Sequence, residues 1–432
     1  MTATALRGRL LTFHRAPEDD EDADARTYLE DGGLLMRGGV IAARGPWPEI
    51  AAAAVDARVV DHRPHLMMAG FVDPHIHFPQ AQVIASWGAQ LLDWLNGYVF
   101  PEEARFGDPA HAEAVAGRFL DLLTDHGTTT AAAFCSVHPA SVDALLGAAA
   151  RRDMRMIAGK VMMDRLAPDA VLDTARSSFE ESEALIGCWH GRGRAGYAIS
   201  PRFAITSSPA QLEAAGALAA AHPGCHVQTH LSENRAEIAF ATSLYPEAPD
   251  YLGIYERHGL LSPRTLLGHC IHLSDREVGA IAAAGARAVF CPTSNLFLGS
   301  GLFPLARMEG AGVTCGIATD VGAGTSYSMF ATLAEGYKVL QLQDRGLTAL
   351  RAFDWITRGN AAALGLADRI GTLDAGTEAD VVVLDARATP AMALRMERAE
   401  TLAEELFVLQ VMGDDRAVAQ CYVAGRPRKP AR

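Results

Sequence analysis

Four histidines and two carboxylates stand in short polar motifs, each following an apolar run. GFVDPHIHFPQ carries His75 and His77. Residues two apart on a strand face one side, so both imidazoles can reach one cation. In a chain with 15 histidines a lone His-x-His also arises by accident. HVQTHLSEN carries His230 and, three residues on, Glu233. His226 lies in the same segment, but four residues of strand span ~13 Å against a Zn–N bond of ~2 Å. His226 and His230 therefore cannot share an ion on a continuous strand, and His226 reads as a structural residue at the strand's beginning. LLGHCIHLS places His269 where a strand should end and His272 in the loop beyond, where a structural role is expected. GIATDVGAG sets Asp320 between an apolar strand and a Gly-rich loop, a costly place for a carboxylate unless it is paired or metal-bound. In GYAISPRFAITSS, Arg202 adjoins Phe203. A guanidinium beside an aromatic ring suits a flat, polar, ring-shaped ligand; the alternative for Arg202 is a salt bridge closing the mouth of the fold.

Singly these motifs decide little. Together they supply three or four histidines and one aspartate, all at expected strand ends. Three nitrogen ligands and one oxygen ligand leave a coordination position for water, the pattern of a catalytic rather than a structural zinc. Such an ion lowers the pKa of bound water to about 7 and makes hydroxide available at neutral pH.

The elements that must position these residues alternate. Apolar runs LMMAGFVDPHIH, TTTAAAFCS, MRMIAGKVM, GYAISPRF, HVQTHLS, RTLLGHC, RAVFCPTS and VTCGIATD are separated by Ala-rich helical patterns such as DPAHAEAVAGRFLDLLTDHG and SPAQLEAAGALAAAHPG, each ending at Gly. Strand–helix alternation implies parallel βα units. Eight of them in roughly 300 residues is the size of an α/β (β/α)8 TIM-type barrel, whose functional residues sit at the C-terminal strand ends. Residues 1–68 and 368–432 are strand-like and turn-rich, and predict a small composite β-sandwich domain built from both termini. Residues 69–367 are left for the barrel. The run Pro17–Arg26 (PEDDEDADAR) reads as a solvated loop between two strands rather than a binding tail.

Composition narrows the function classes. The 38 Lys+Arg against 51 Asp+Glu give a net charge of −13, which argues against nucleic acid or an anionic membrane surface as partner. No apolar stretch approaches the ~18 residues of a membrane helix, and no apolar signal precedes Arg15. Seven cysteines without a Cys-x-x-Cys pair fit a reducing compartment, so a cytoplasmic protein is expected. Cys135, Cys270 and Cys291 read as small core hydrophobes, and His138 as a capping, packing or pocket-lining residue. Asn295 and the Gly299–Gly301 turn read as shaping a loop over the site. Trp87 and Trp94 read as either a lid or an oligomer contact.

These residues and motifs resemble the amidohydrolase superfamily, specifically its mononuclear branch. FVDPHIH looks like the superfamily's first metal motif, and His230, His269 and Asp320 follow in the expected order. Binuclear members carry a carboxylated lysine at a strand end; Lys160 in MIAGKVMMD is the one candidate and reads as outside the metal shell. Within the branch, HIHFPQ, FCSVHP, KVMMDR, SPRFAITSS, QTHLSEN, GHCIHLS, CPTSNLFLGSG and ATDVGAGTSYSM resemble the guanine deaminase family over nearly the whole chain. The resemblance implies one Zn²⁺ per chain on His75, His77, His230 and Asp320. It also implies a purine base, guanine, held by Gln80, Arg202 and Phe203 beside His77, His230, Glu233 and Asp320. Catalysis would fall to Glu233 as ring acid, Asp320 as proton carrier and His269 as orienter of the attacking water. The developing charge would be stabilised by the ion and by a cationic His269 or Arg202. A homodimer is implied as well. Aminohydrolases of 8-oxoguanine, a pterin or an s-triazine share the metal ligands and form the alternative.

Overall fold

The structure, a computed structural model, describes residues 3–87 and 90–429. The chain divides into two compact units, Met1–Asp73 with Asp121–Thr130 and Tyr327–Arg432, and Pro74–Leu120 with Ala131–Ser326.

In the first unit both ends of the chain feed one seven-stranded sheet. Its order is Arg426–Pro427, Val418–Val423, Val381–Leu384, Arg58–Ala69, Thr4–Phe13, Arg26–Arg37 and Val40–Pro46. Thr4–Phe13 and Arg58–Ala69 pair parallel; the other pairs are antiparallel. Side chains alternate across the pleat. Leu6, Leu10, Leu34 and Met36 join one apolar cluster, whereas Ala5 and Leu35 join another with Ile50 of the helix Trp47–Ala53. Gly33 makes that second contact possible, because a Cβ there would lie 2.9 Å from Ile50 Cβ. The acidic run connects Thr4–Phe13 to Arg26–Arg37 and is largely exposed, but Asp20 turns inward and accepts the Leu350 N–H at 2.9 Å.

The second sheet is the barrel. Its eight barrel strands are Phe71–His77, Thr128–Phe134, Arg155–Gly159, Ala195–Pro201, His226–Leu231, Thr265–His269, Arg287–Phe290 and Cys315–Ile317, arranged in sequence order, and a ninth short strand, Val161–Met162, pairs with Ala195–Pro201. The pairs from Arg155–Gly159 onward are parallel. Several strands are buried along their whole length, as parallel strands covered on both faces must be. That burial explains why they read as continuous apolar runs. The seam closes through Asp320 N–H to His75 O at 3.0 Å and His77 N–H to Val321 O at 2.7 Å.

The helices begin at legible caps. Thr174 forms a capping box on Ala175–Trp189, as does Ser274 with Glu277 on Asp275–Ala284, which ends at left-handed Gly285. Ser208 caps Pro209–Ala221. That helix stops at His222 before Pro223 rather than at Gly224, since proline lacks the N–H that continuation needs.

Candidate metal centre and pocket

The C-terminal strand ends carry four non-glycine residues in the left-handed region: Ser232 (φ 53°), His269 (φ 72°), Cys270 (φ 54°) and Asp320 (φ 51°). Such conformations are costly and cluster at functional sites. Here they re-aim the side chains of strands that are about to leave the barrel.

His75, His77, His230 and Asp320 meet at one point. His77 Nε2 lies 3.1 Å from His230 Nε2 and 3.3 Å from Asp320 Oδ1; His75 Nε2 lies 3.4 Å from the same oxygen. Two ligands bound at ~2.1 Å around a tetrahedral ion stand ~3.4 Å apart, so these spacings fit one small cation of the zinc class. His230 Nδ1 donates to Arg202 O at 2.7 Å, which leaves the Nε2 lone pair for the centre, the usual outer support of a metal-bound imidazole. Burial and the neighbouring histidines hold the His230 pKa well below the ordinary range, and a ligand must be neutral. Burial alone would raise the Asp320 pKa; His75 and His77 outweigh it and keep the carboxylate ionised.

His269 stands beside this group. Its Nε2 is 3.5 Å from Glu233 Oε2 and 3.9 Å from Asp320 Oδ2, and Asn295 Nδ2 donates to its Nδ1 at 2.9 Å. The ring proton then sits on Nε2 and faces the two carboxylates. Burial lowers the His269 pKa to about 3, so the ring is neutral near pH 7. The ring nitrogens of His75, His230 and His269 lie within 4.8 Å of one another, as do the ligand atoms of His75, Cys291 and Asp320. Cys291, expected in the core, is buried just past its strand beside the cluster.

Glu233 is 2% exposed. Burial, then the Glu237 and Asp320 carboxylates, push its pKa well above the carboxylate range; the Ser300 hydroxyl, donating to Oε1 at 2.8 Å, opposes them. Glu233 Oε2 faces His269. Glu237 is held by the Glu233 N–H (2.9 Å) and the Tyr251 hydroxyl (2.8 Å).

A cavity opens over these groups. His77, His230, His269, Asp320 and Glu233 form one side, Gln80, Arg202 and Phe203 another, and Leu91, Trp94, Leu95 and Ala323 an apolar wall. Arg202 Nη1 reaches both oxygens of Glu103 at 2.9 and 2.8 Å, and Gln80 Nε2 reaches Glu103 Oε1 at 3.0 Å. Gly322 N–H donates to Gln80 Oε1 at 3.2 Å. Arg202 thus both borders the cavity and takes part in an ion pair. Trp94 is buried in the wall while Trp87 is 76% exposed; Gly88 and Ala89 between them lie outside the described residues. A π-helical turn, Leu95–Val99, follows Trp94, a distortion often found at functional sites.

The remaining candidates fall elsewhere. His226 begins its strand, buried at the far end from His230. His272 Nε2 bonds Ser300 O at 2.8 Å and supports the Gly299–Gly301 turn. His138 occupies the N-cap position of Pro139–Arg151 and packs on Gly107. Lys160, fully buried, pairs with Asp173 and with Glu181 at 3.3 Å. The sequence reading did not find Glu103, Glu237 or the contacts of Ser300 and Asn295. Glu103 sits in PEEARF, which looks like any acidic first turn.

The amidohydrolase family model matches residues 66–428. The chain is 46% identical to guanine deaminase of Escherichia coli K12 over 427 residues, 98% of this chain and 97% of that one. Among solved structures it superposes on guanine deaminase from Bradyrhizobium japonicum with TM-score 0.96 at 36% identity, covering 100% of both chains. It superposes on the guanine deaminase of C. acetobutylicum with bound guanine in the active site with TM-score 0.88 at 28% identity, covering 99% of this chain and 100% of that one.

Proposed function

The chain belongs to the amidohydrolase family, and on that premise we propose that it is a zinc-dependent aminohydrolase converting guanine and water to xanthine and ammonia. The observation that carries the reading is the placement, around one cavity, of Glu233 and the histidine–aspartate cluster with the Gln80–Arg202–Phe203 wall. That wall suits a neutral planar ring with an oxo group.

His75, His77, His230 and Asp320 are the residues proposed to hold the ion, on the ligand spacings given above. Bound there, Zn²⁺ supplies hydroxide at neutral pH. The protein does the rest. Arg202 and Gln80 present hydrogen-bonding groups to the polar edge of the base, and Phe203 and Trp94 offer ring contact, which together fix C2 over the cluster. Glu233 donates its proton to N3, so the ring accepts electrons as C2 becomes tetrahedral. Asp320 accepts a proton from the nucleophile and returns it to the exocyclic nitrogen, which leaves as ammonia. Neutral His269, its Nε2–H aimed between Glu233 and Asp320, orients the attacking oxygen.

The same proposal takes residues 1–68 with 368–432 as a supporting β domain and 69–367 as the catalytic barrel. It extends to a cytoplasmic homodimer. No disulfide joins the seven cysteines, which fits a reducing compartment, and the resemblance to the family supports the dimer. Among the described residues no helix is long and apolar enough to cross a membrane.

The test is loss of guanine absorbance with ammonia and xanthine measured together, on protein whose zinc content is determined in the same sample. Turnover at about one zinc per chain, lost on chelation and restored by zinc, is expected. Bound zinc without guanine turnover would move the substrate to 8-oxoguanine, a pterin or an s-triazine.

A further inference from the structure

Arg202 and Glu103 are 3% and 1% exposed, and the guanidinium commits a single nitrogen to both carboxylate oxygens. Gln80 spends its amide nitrogen on the same carboxylate, and the Phe100 ring lies 5.5 Å from the Arg202 guanidinium carbon. The wall that meets the polar edge of the base is therefore a buried ion pair with no net charge. A lone buried arginine there would be a strong anion site. This difference matters because the deamination product is a stronger acid than its substrate. Replacing the C2 amine by an oxo group gives xanthine, which is partly an anion near neutral pH, whereas guanine is neutral.

We infer that Glu103 is a positioning and specificity residue: it cancels the Arg202 charge so that the pocket favours the neutral base over its anionic product. The inference rests on the guanine reading and deepens it. Glu103 does not line the cavity; it acts through Arg202 and Gln80. The other charged groups around the pair leave this balance standing. Glu102, on the same helix, is taken by Arg105 at 2.7 Å and faces His111 at 3.6 Å. His77 and His230 are held neutral by burial, and His138, which feels the field of Glu103, is likewise kept below its usual range by burial. The buried Cys135 thiol also feels that field, and burial keeps it protonated. The group that titrates is the ligand.

The experiment compares inhibition by xanthine with inhibition by the less acidic hypoxanthine, as a ratio, from below to above the ionisation of xanthine; the ratio cancels ionisations of the enzyme itself. In the wild type, xanthine inhibition should weaken against hypoxanthine as pH rises. In Glu103→Gln it should strengthen. One uncancelled charge beside the bound base, at an effective dielectric of ~20, should shift the ratio at high pH by at least about tenfold. Glu103→Asp, which keeps the charge, should behave as the wild type. A zinc-loaded, guanine-active Glu103→Gln enzyme with the wild-type ratio at every pH would overturn the inference. If that variant does not fold, the double variant Arg202→Gln with Glu103→Gln decides: removing both members of a cancelled pair should leave the wild-type ratio at high pH, and a shift of about tenfold or more would overturn the inference. Failure of the guanine reading looks different: the wild type would release no ammonia from guanine.

Discussion

Gly268→Ala should disable the metal centre without touching a ligand. Gly268 lies on Thr265–His269, opposite His230 in the ladder. A Cβ there would stand 2.5 Å from His75 Cε1, 3.0 Å from Nδ1 and 3.3 Å from Nε2. Carbon atoms in contact prefer ~3.5–4.0 Å, so about 1 Å must be found. The His75 ring is fully buried and boxed in by the rings of Phe134, His77, His230 and His269, at centroid distances of 5.1, 5.3, 4.9 and 5.5 Å. Either the strand shifts, at ~1–3 kcal/mol of stability as in other overpacked cores, or the ring slides ~1 Å along a bond only ~2.1 Å long. A displacement of that size costs about a hundredfold in rate. Zinc affinity, read by competition with a chromophoric chelator, should fall at least about tenfold for each ~1.4 kcal/mol of misfit. Turnover at saturating zinc should fall about a hundredfold. Gly279→Ala is the control: it lies in the helix Asp275–Ala284 with nothing within 4 Å of its added Cβ, and it should be neutral or stabilising by up to ~1 kcal/mol. Native zinc affinity and native turnover in Gly268→Ala would refute the placement of His75 at the ion.

Glu233→Gln keeps an acceptor for Ser300 but has no acidic proton, so kcat should fall by about 10²–10⁴ at unchanged zinc content; steady-state kinetics with metal analysis checks both. Lys160→Met leaves Asp173 buried without its cation, and should cost ~3–5 kcal/mol in urea unfolding while zinc per folded chain stays the same. His62, bonded to the Tyr422 hydroxyl at 2.8 Å, has its pKa lowered to about 4, first by burial and then by His65. The folded state therefore binds fewer protons than the unfolded chain between pH ~6.5 and about 4, and stability is lost as pH falls through that window. His62→Asn should flatten the loss in thermal scans across this range, to an extent reduced by solvent screening because the ring is partly exposed.

The barrel was legible because fully buried parallel strands must be apolar throughout, which separates TTTAAAFCS or RAVFCPTS cleanly from the Ala-rich helices between them. The terminal segments were legible as strands through their turns and alternation, but not as a single seven-stranded sheet, since the pairing of Arg58–Ala69 with Val381–Leu384 joins residues far apart in the chain. The proposed metal ligands stood out because a histidine or aspartate closing a buried strand has few other reasons to be there. Their partners did not. Glu103, Ser300 and Asn295 sit in loops and short helices where such residues are ordinary, and only the fold brings Ser300 to Glu233 or Asn295 to His269.

The seam between the first and last barrel strands, closed by the backbones of His75 and Asp320, has a consequence for how the protein is born. A ribosome delivers His75 early and Asp320 only after the last strand, Cys315–Ile317, has left the exit tunnel. A nascent chain arrested anywhere before that point offers imidazoles without the carboxylate, and a sheet without its closing strand. Assembly of the proposed metal site therefore waits on the eighth barrel strand, with 112 residues of the chain still to follow Asp320.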